Sequence, residues 1–189
     1  MQDGPSPYAV PTAVYLGNLH PDFDHDLVLD AWRFLQEQRI APQLELIGSG
    51  DDLEKVRQTI ASDGLSNCVS ALGYMSGQPL WDRLRHAHVL LFPIRDTIAN
   101  RMRCPSKTFA YMQAGRPIIT NRVGEVAEAL GNRATYVEPT PTAFAAAVRE
   151  AFQRPSCTVD YDVAKHQWSA RARLLLDAVT PLHESRKAR

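Results

Sequence analysis

Cysteine is scarce in this 189-residue chain: Cys68, Cys104 and Cys157 are the whole supply, and they lie far apart. No C-x-x-C pair is present and the count is odd, which argues against a disulfide scaffold and fits a reducing compartment. Excess charge of either sign is missing too, with 21 Lys and Arg against 21 Asp and Glu. That balance disfavours a general nucleic-acid binder and an electrostatic membrane sensor. No apolar run approaches the ~20 residues of a membrane span. The opening MQDGPSPYAVP has neither the basic nor the apolar region of a secretory signal, and residues 1–11 read as a Pro-rich linker. Neither an internal repeat nor a low-complexity tract interrupts the chain. The expectation is a cytoplasmic, soluble domain that binds no nucleic acid.

At 44% hydrophobic, the chain has the apolar content and the length for one ordinary domain. Short apolar runs recur at TAVYLG (12–17), QLELIG (43–48), CVSALG (68–73), HVLLFP (88–93), PIIT (117–120) and ATYV (134–137). Helical stripes lie between them: Leu27, Val28, Ala31, Trp32 and Leu35, then Leu53, Val56 and Ile60, then Leu80, Trp81 and Leu84. Asp51 and Glu54 have capping-box spacing, Ser76 is placed to cap the third helix, and Thr140-Pro141 forms an N-cap and first-turn pair. A last helix is expected over about 160–180, with Trp168, Ala172, Leu175 and Val179 on a packing face, before a basic flexible tail at 181–189. Strands alternating with helices predict an α/β, Rossmann-like, doubly wound parallel sheet of about six strands with helices on both faces, over residues 12–180.

In such a sheet ligands sit outside the carboxyl ends of the strands. GNLHPD rather than G-x-G-x-x-G follows the first run, which weakens a nicotinamide dinucleotide site. The strongest signal is electrostatic. From Pro93 to Arg122 there are six basic residues, Arg95, Arg101, Arg103, Lys107, Arg116 and Arg122, against the single acid Asp96. Within that stretch Pro105-Ser106-Lys107-Thr108 opens a helix. Pro105 is read as its first residue, leaving the N–H groups of Ser106, Lys107 and Thr108 free for an anion. Lysine repels a helix N-terminus unless an anionic ligand joins it, so a phosphate site is expected there. His20 and Glu125 follow strands and are secondary candidates, as is Arg101. His86 and His88 flank a helix end and a buried strand, and no metal site is expected. The three tryptophans, Trp32, Trp81 and Trp168, read as helix packing.

Pro105-x-Lys107-x-x-Ala110-Tyr111-x-x-x-Gly115-x-Pro117-Ile118-Ile119 resembles P-x-K-x-x-E-Y-x-x-x-G-x-P-V-I, a motif of the C-terminal, donor-nucleotide-binding domain of GT-B glycosyltransferases of the family 4 group. TAVYLGNLHPDFDHDLVLDAW, LELIGSGDDLEKVRQ, ALGYMSGQPLWDRLRHAHVLLFP and HQWSARARLLL resemble that group's successive strand–helix units and its closing helix, in order, over about residues 12–180. The resemblance implies the donor half of a hexosyltransferase that moves a sugar from a UDP- or GDP-sugar to a glycan, lipid-linked or small-molecule acceptor. It implies no cofactor and no metal. It also implies a separate N-terminal acceptor domain outside this chain, inactivity of this chain alone, and a parent that can touch the inner face of a membrane. Carried over by position, Lys107 meets the donor diphosphate and stabilises it as leaving group, and Ser106 and Thr108 offer backbone N–H groups. Gly17 makes room for phosphate, Tyr74 and Met75 border the base, and Asn18 and Arg103 lie in the donor site. The chain departs from the motif at Asn18 for arginine, Phe23 for lysine, Ala110 for the ribose-binding glutamate, and Met102 for a further acid. Two alternatives stand beside this reading: a non-catalytic nucleotide-binding or interaction domain of the same fold, and an unrelated flavodoxin-like domain.

Overall fold

The structure is a computed structural model that describes residues 5–21, 23–40 and 42–187, with side chains as far as Thr180. Six strands form one sheet: β1 (Thr12–Leu16), β2 (Gln43–Ile47), β3 (Val69–Gly73), β4 (Val89–Phe92), β5 (Ile118–Thr120) and β6 (Thr135–Tyr136). Their order is β3-β2-β1-β4-β5-β6 and every pairing is parallel. All six expected apolar runs became strands; β1, β4 and β5 at the centre are buried nearly throughout, and the edge strands β3 and β6 are only partly buried. The pleat sends Ala13, Tyr15, Leu44, Leu46, Val89 and Leu91 to one face and Val14, Ile47, Leu90 and Phe92 to the other.

Helices α1 (His25–Glu37), α2 (Leu53–Ser62) and α7 (Pro141–Gln153) cover the first face through Leu27, Val28, Ala31, Trp32, Val56, Ile60, Phe144 and Val148. Helices α3 (Gly77–His86), α5 (Ser106–Ala114) and α6 (Gly124–Leu130) cover the second through Leu84, Tyr111, Met112, Val126 and Leu130. This is the expected α/β, Rossmann-like, doubly wound architecture. Trp32 packs in the core and donates its Nε1–H to the Pro42 carbonyl at 2.7 Å. Tyr8 is tied to β2, its hydroxyl donating to Glu45 at 2.9 Å, while Arg83 of α3 lies 3.0 Å from the same carboxylate.

Thr140 caps α7 as expected, its hydroxyl accepting from the Ala143 N–H at 3.3 Å, with Pro141 in the first turn. Two other caps differ. The α2 N-cap is Asp52 rather than Asp51, and neither Asp52 nor Ser76 makes a side-chain cap bond. A short helix, α4 (Ile98–Met102), occupies the expected loop after β4. The single helix expected over 160–180 is interrupted. Residues after α7 first return to α5, where Val159 N–H donates to the Gly115 carbonyl at 2.8 Å and the buried Tyr161 hydroxyl donates to the Arg116 carbonyl at 2.9 Å. A 3-10 turn (Val163–His166) follows, and then α8 (Trp168–Lys187). Its expected packing face is exposed: Trp168 is 90% accessible, and Leu175 and Val179 also face outward. No described helix is long and apolar enough to cross a membrane. The side chains of the expected tail at 181–189 lie outside the described residues, as do residues 1–4 of the expected linker.

The loops after β1 and β2 are stacked closely at the sheet end. Gly48 has φ +149°, and a Cβ there would sit 1.7 Å from the Gly17 carbonyl oxygen. Gly17 N–H donates to Ile47 O at 3.0 Å and Leu19 N–H to Ser49 O at 2.9 Å, so neither loop can back away without losing these bonds. Gly48→Ala is therefore expected to destabilise the domain by at least about 2 kcal/mol, read as a lowered urea midpoint; an unchanged midpoint would contradict the stacking.

Candidate functional site

The chain reverses its direction of winding between β1 and β4, the two central strands, and a crevice opens where their connections part. A cavity of about 550 Å³ lies there, lined by Leu16, Gly17 and Asn18 after β1, by Phe23 before α1, and by Arg103, Pro105, Ser106, Lys107 and Ala110. Tyr111 props the two strands at this point: its hydroxyl accepts from Leu16 N–H at 2.7 Å and donates to Leu91 O at 3.1 Å. Pro105 is the N-cap of α5 rather than its first residue, with Ser106 and Lys107 next. The expected trio of free N–H groups is therefore a pair, since Thr108 N–H donates to Pro105 O at 3.0 Å. Ser106 and Lys107, as the first two helical residues, have no acceptor within the helix.

Lys107 is half-buried at the cavity wall. Its Nζ stands 4.2 Å from the centre of the Phe92 ring and 4.8 Å from that of Tyr15. Gly17 makes this fit: a Cβ there would lie 2.7 Å from the Tyr15 hydroxyl and 3.1 Å from Lys107 Nζ. Burial, and then the Arg103 charge, push the ammonium down from the ordinary 10.5 to about 7, against the pull of Asp24. The Arg103 guanidinium lies 5.0 Å from the Phe23 ring centre, and its buried Nε has no hydrogen-bond partner. Among the described residues neither cation meets a carboxylate within ion-pair distance.

The other basic residues of the 93–122 stretch are engaged elsewhere. Asp24, 4% exposed at its side chain, accepts from Arg95 N–H at 2.9 Å and from Arg95 Nη1 at 2.8 Å. Asp26 accepts from Arg95 Nη2 at 2.8 Å. Burial works to raise the Asp26 carboxyl, but the Arg95 hydrogen bond and charge outweigh it and hold it below its usual value. Sequence reading missed this latch. Asp24 and Asp26 have D-x-D spacing, and a pair of acids after one central strand facing an arginine after the other was the available signal. Arg101, a secondary candidate, is exposed and paired with Asp96 at 2.5 Å. Arg116 is buried and donates to Ala87 O at 2.6 Å and to Ser156, and Arg122 lies 4.0 Å over the Tyr136 ring.

Of the remaining expected residues, Gly17, Asn18, Arg103, Ser106 and Lys107 meet at the cavity. Thr108 is behind it, its hydroxyl buried without a partner. Tyr74 is 76% exposed beyond the end of β3, two strands away, and Met75 packs against the core cluster under α3 and α5. Neither lines the cavity. His20 lies 3.7 Å from Asp51 and edge-on to Phe23, outside the lining. Glu125 is in the first turn of α6 and 3.4 Å from Arg171 of α8. His88 is buried, with Nε2 2.9 Å from Ala151 O. Of the departures noted in sequence, Phe23 and Ala110 line the cavity, whereas Met102 is exposed.

A doubly wound sheet with two cations and a helix N-terminus at its switch point defines a Rossmann-like domain with a positively charged cavity at that point. The family model for group 1 glycosyl transferases matches residues 10–154, and the chain belongs to that family. Comparison with curated protein sequences gives no match. Among solved structures the chain is similar to Anabaena HepE in complex with UDP-glucose, at 14% identity and TM-score 0.68, covering 92% of this chain and 49% of that one. It is similar to the lipopolysaccharide outer core galactosyltransferase WaaB in its apo form, at 15% identity and TM-score 0.69, covering 95% and 51%. A glycosyltransferase from Rickettsia africae matches at 16% identity and TM-score 0.63, covering 78% and 38%. The chain thus spans about half the length of these structures, or less, and at such identities the likeness is one of fold.

Two outcomes test the electrostatics. The unfolded chain holds the Lys107 proton more tightly than the folded one between pH about 7 and about 10.5, so the stability contributed by this group rises with pH across that window. The urea midpoint of wild type relative to Lys107→Met is expected to climb from pH 7 to pH 9; a constant difference would refute the depressed ammonium. Arg95→Met leaves Asp24 buried without its cation, and is expected to cost about 2–4 kcal/mol in urea unfolding at neutral pH; a loss under about 0.5 kcal/mol would remove the latch from the account.

Proposed function

We propose that this chain is the donor half of a hexosyltransferase, binding a nucleoside-diphosphate sugar, UDP- or GDP-linked, with its diphosphate at the start of α5. The observation that carries the reading is the pair of cations, Lys107 and Arg103, that meet no carboxylate among the described residues, beside the free N–H groups of Ser106 and Lys107 in the switch-point cavity. The solved HepE structures described as complexes with UDP and with UDP-glucose support a nucleotide sugar as the ligand class. The share of the similar structures that this chain spans, about half, supports the rest: the acceptor, a glycan, a lipid-linked saccharide or a small molecule, falls to a second half, and this half alone turns nothing over.

As the glycosidic C–O bond of the donor breaks, negative charge grows on the departing diphosphate. Donors already fixed at that place stabilise the growing charge without having to reorganise. Lys107 supplies the ammonium, Arg103 the planar donor set and α5 its partial positive end. An ammonium that burial depresses gains its full charge beside a diphosphate, so binding takes up a fraction of a proton near pH 7. The proposal assigns charge stabilisation to these groups and needs no cofactor.

Ala110 gives a second reading its footing. It lines the cavity where the resemblance places a ribose-binding glutamate, and a methyl accepts no hydrogen bond from a hydroxyl. A non-catalytic nucleotide-binding domain would look the same. Titration calorimetry with UDP, GDP and ADP is the test of the first reading. Binding of at least one in the micromolar-to-millimolar range is expected, weakened about tenfold or more by Lys107→Ala, or about 1.4 kcal/mol. Absence of binding by all three would end it. Binding by a longer protein that transfers no sugar from any of the corresponding donors would favour the second.

A further inference from the structure

Phe23 stands where the resembling motif carries a lysine, so the loop before α1 has lost a cation and gained a ring. That ring is not spare hydrophobic surface. Its face meets the Arg103 guanidinium at 5.0 Å, its edge side meets the His20 ring at 6.4 Å, and Phe23 and Arg103 both line the cavity. The Phe23 backbone is tied into its turn, its N–H donating to His20 O at 2.9 Å. Arg103 sits between α4 and α5 in extended backbone, so nothing in its own helix steers its side chain. Its Nε is buried and unpartnered, and the nearby acids Asp24 and Asp26 are bound to Arg95 instead. An aromatic face attracts a guanidinium without neutralising it or using up its N–H donors. A carboxylate in the same place would do both.

We infer that Phe23 is a positioning residue: it holds Arg103 beside Lys107 as an uncompensated second cation, and so sets the preference of the cavity for two linked phosphates over one. The inference deepens the reading of this cavity as a diphosphate site. Lys107 anchors one phosphate at the start of α5, and Arg103, four residues earlier and beside the Phe23 ring, reaches the other. A single phosphate engages one cation fully and gains little from the second.

The probes are inorganic pyrophosphate and orthophosphate beside UDP and UMP, titrated into wild type, Phe23→Leu, Phe23→Tyr, Arg103→Met and the Phe23→Leu/Arg103→Met double variant. Leucine keeps the apolar bulk and removes the ring; tyrosine keeps the ring. Phe23→Leu and Arg103→Met are each expected to weaken pyrophosphate binding roughly tenfold while changing orthophosphate binding less than about threefold. Phe23→Tyr retains wild-type affinity, and the double variant is no weaker than Arg103→Met alone, because the ring acts only through the arginine. A Phe23→Leu protein that binds pyrophosphate like wild type overturns the inference. So does an equal loss for both phosphates, or a double variant in which the two losses add. Wild type that binds neither inorganic ion nor nucleotide overturns inference and function together. Pyrophosphate binding with the expected pattern but no nucleotide binding leaves the inference standing and removes the proposed donor. Intact UDP binding insensitive to Phe23→Leu does the reverse.

Discussion

The site depends on where two carboxylates spend their charge. Asp24 and Asp26 follow the first central strand, and Asp24 is near enough to Lys107 to pull on its proton. Arg95, arriving from the other central strand, takes both: Asp24 through backbone and side chain, Asp26 through its remaining nitrogen. A buried carboxylate must be paired to be tolerated, and this pairing also clips together the loops after β1 and β4, which form the two walls of the crevice. Without it the walls would be free to part, and the acids would face the lysine and arginine they are now kept from.

The basic stretch from 93 to 122 accordingly splits by role. Arg95, Arg101 and Arg116 are structural, bound to carboxylates, to a backbone carbonyl or to a serine. Lys107, Arg103 and Arg122 are held by aromatic rings, which leave their charge, but Arg122 sits over Tyr136 outside the cavity that the other two line. That division has an energetic logic. Burial and the Arg103 charge push the Lys107 ammonium down to about 7, and the rings beside it leave it without a counter-charge.

The doubly wound sheet was legible before any coordinates, strand by strand, because buried parallel strands are apolar on both faces and glycine or proline marks their ends. TAVYLG and HVLLFP are unmistakable on that ground. The helix stripes of α1 and α2 were legible too, since Val28, Ala31, Trp32 and Leu35 repeat at helical spacing. Less legible was the closing segment. Its apolar periodicity through Leu175 and Val179 says that a face seeks burial and cannot say against what, and in the described chain that face meets water. The interruption before it comes from Val159 and Tyr161 docking on the end of α5, a contact between residues more than forty positions apart.

Sequence by itself determined the parallel sheet, its winding, the family and the lysine at the head of α5, because each of these is written in local periodicity or in a contiguous motif. Tertiary structure alone decided which charges remain uncompensated. The six basic residues look alike in a row; burial, the Arg95 latch and the rings of Phe23, Tyr15 and Phe92 separate them. Those partners lie far from them in the chain, on strands that only become neighbours once the sheet has formed, and electrostatic pairing depends on distance in space rather than along the sequence.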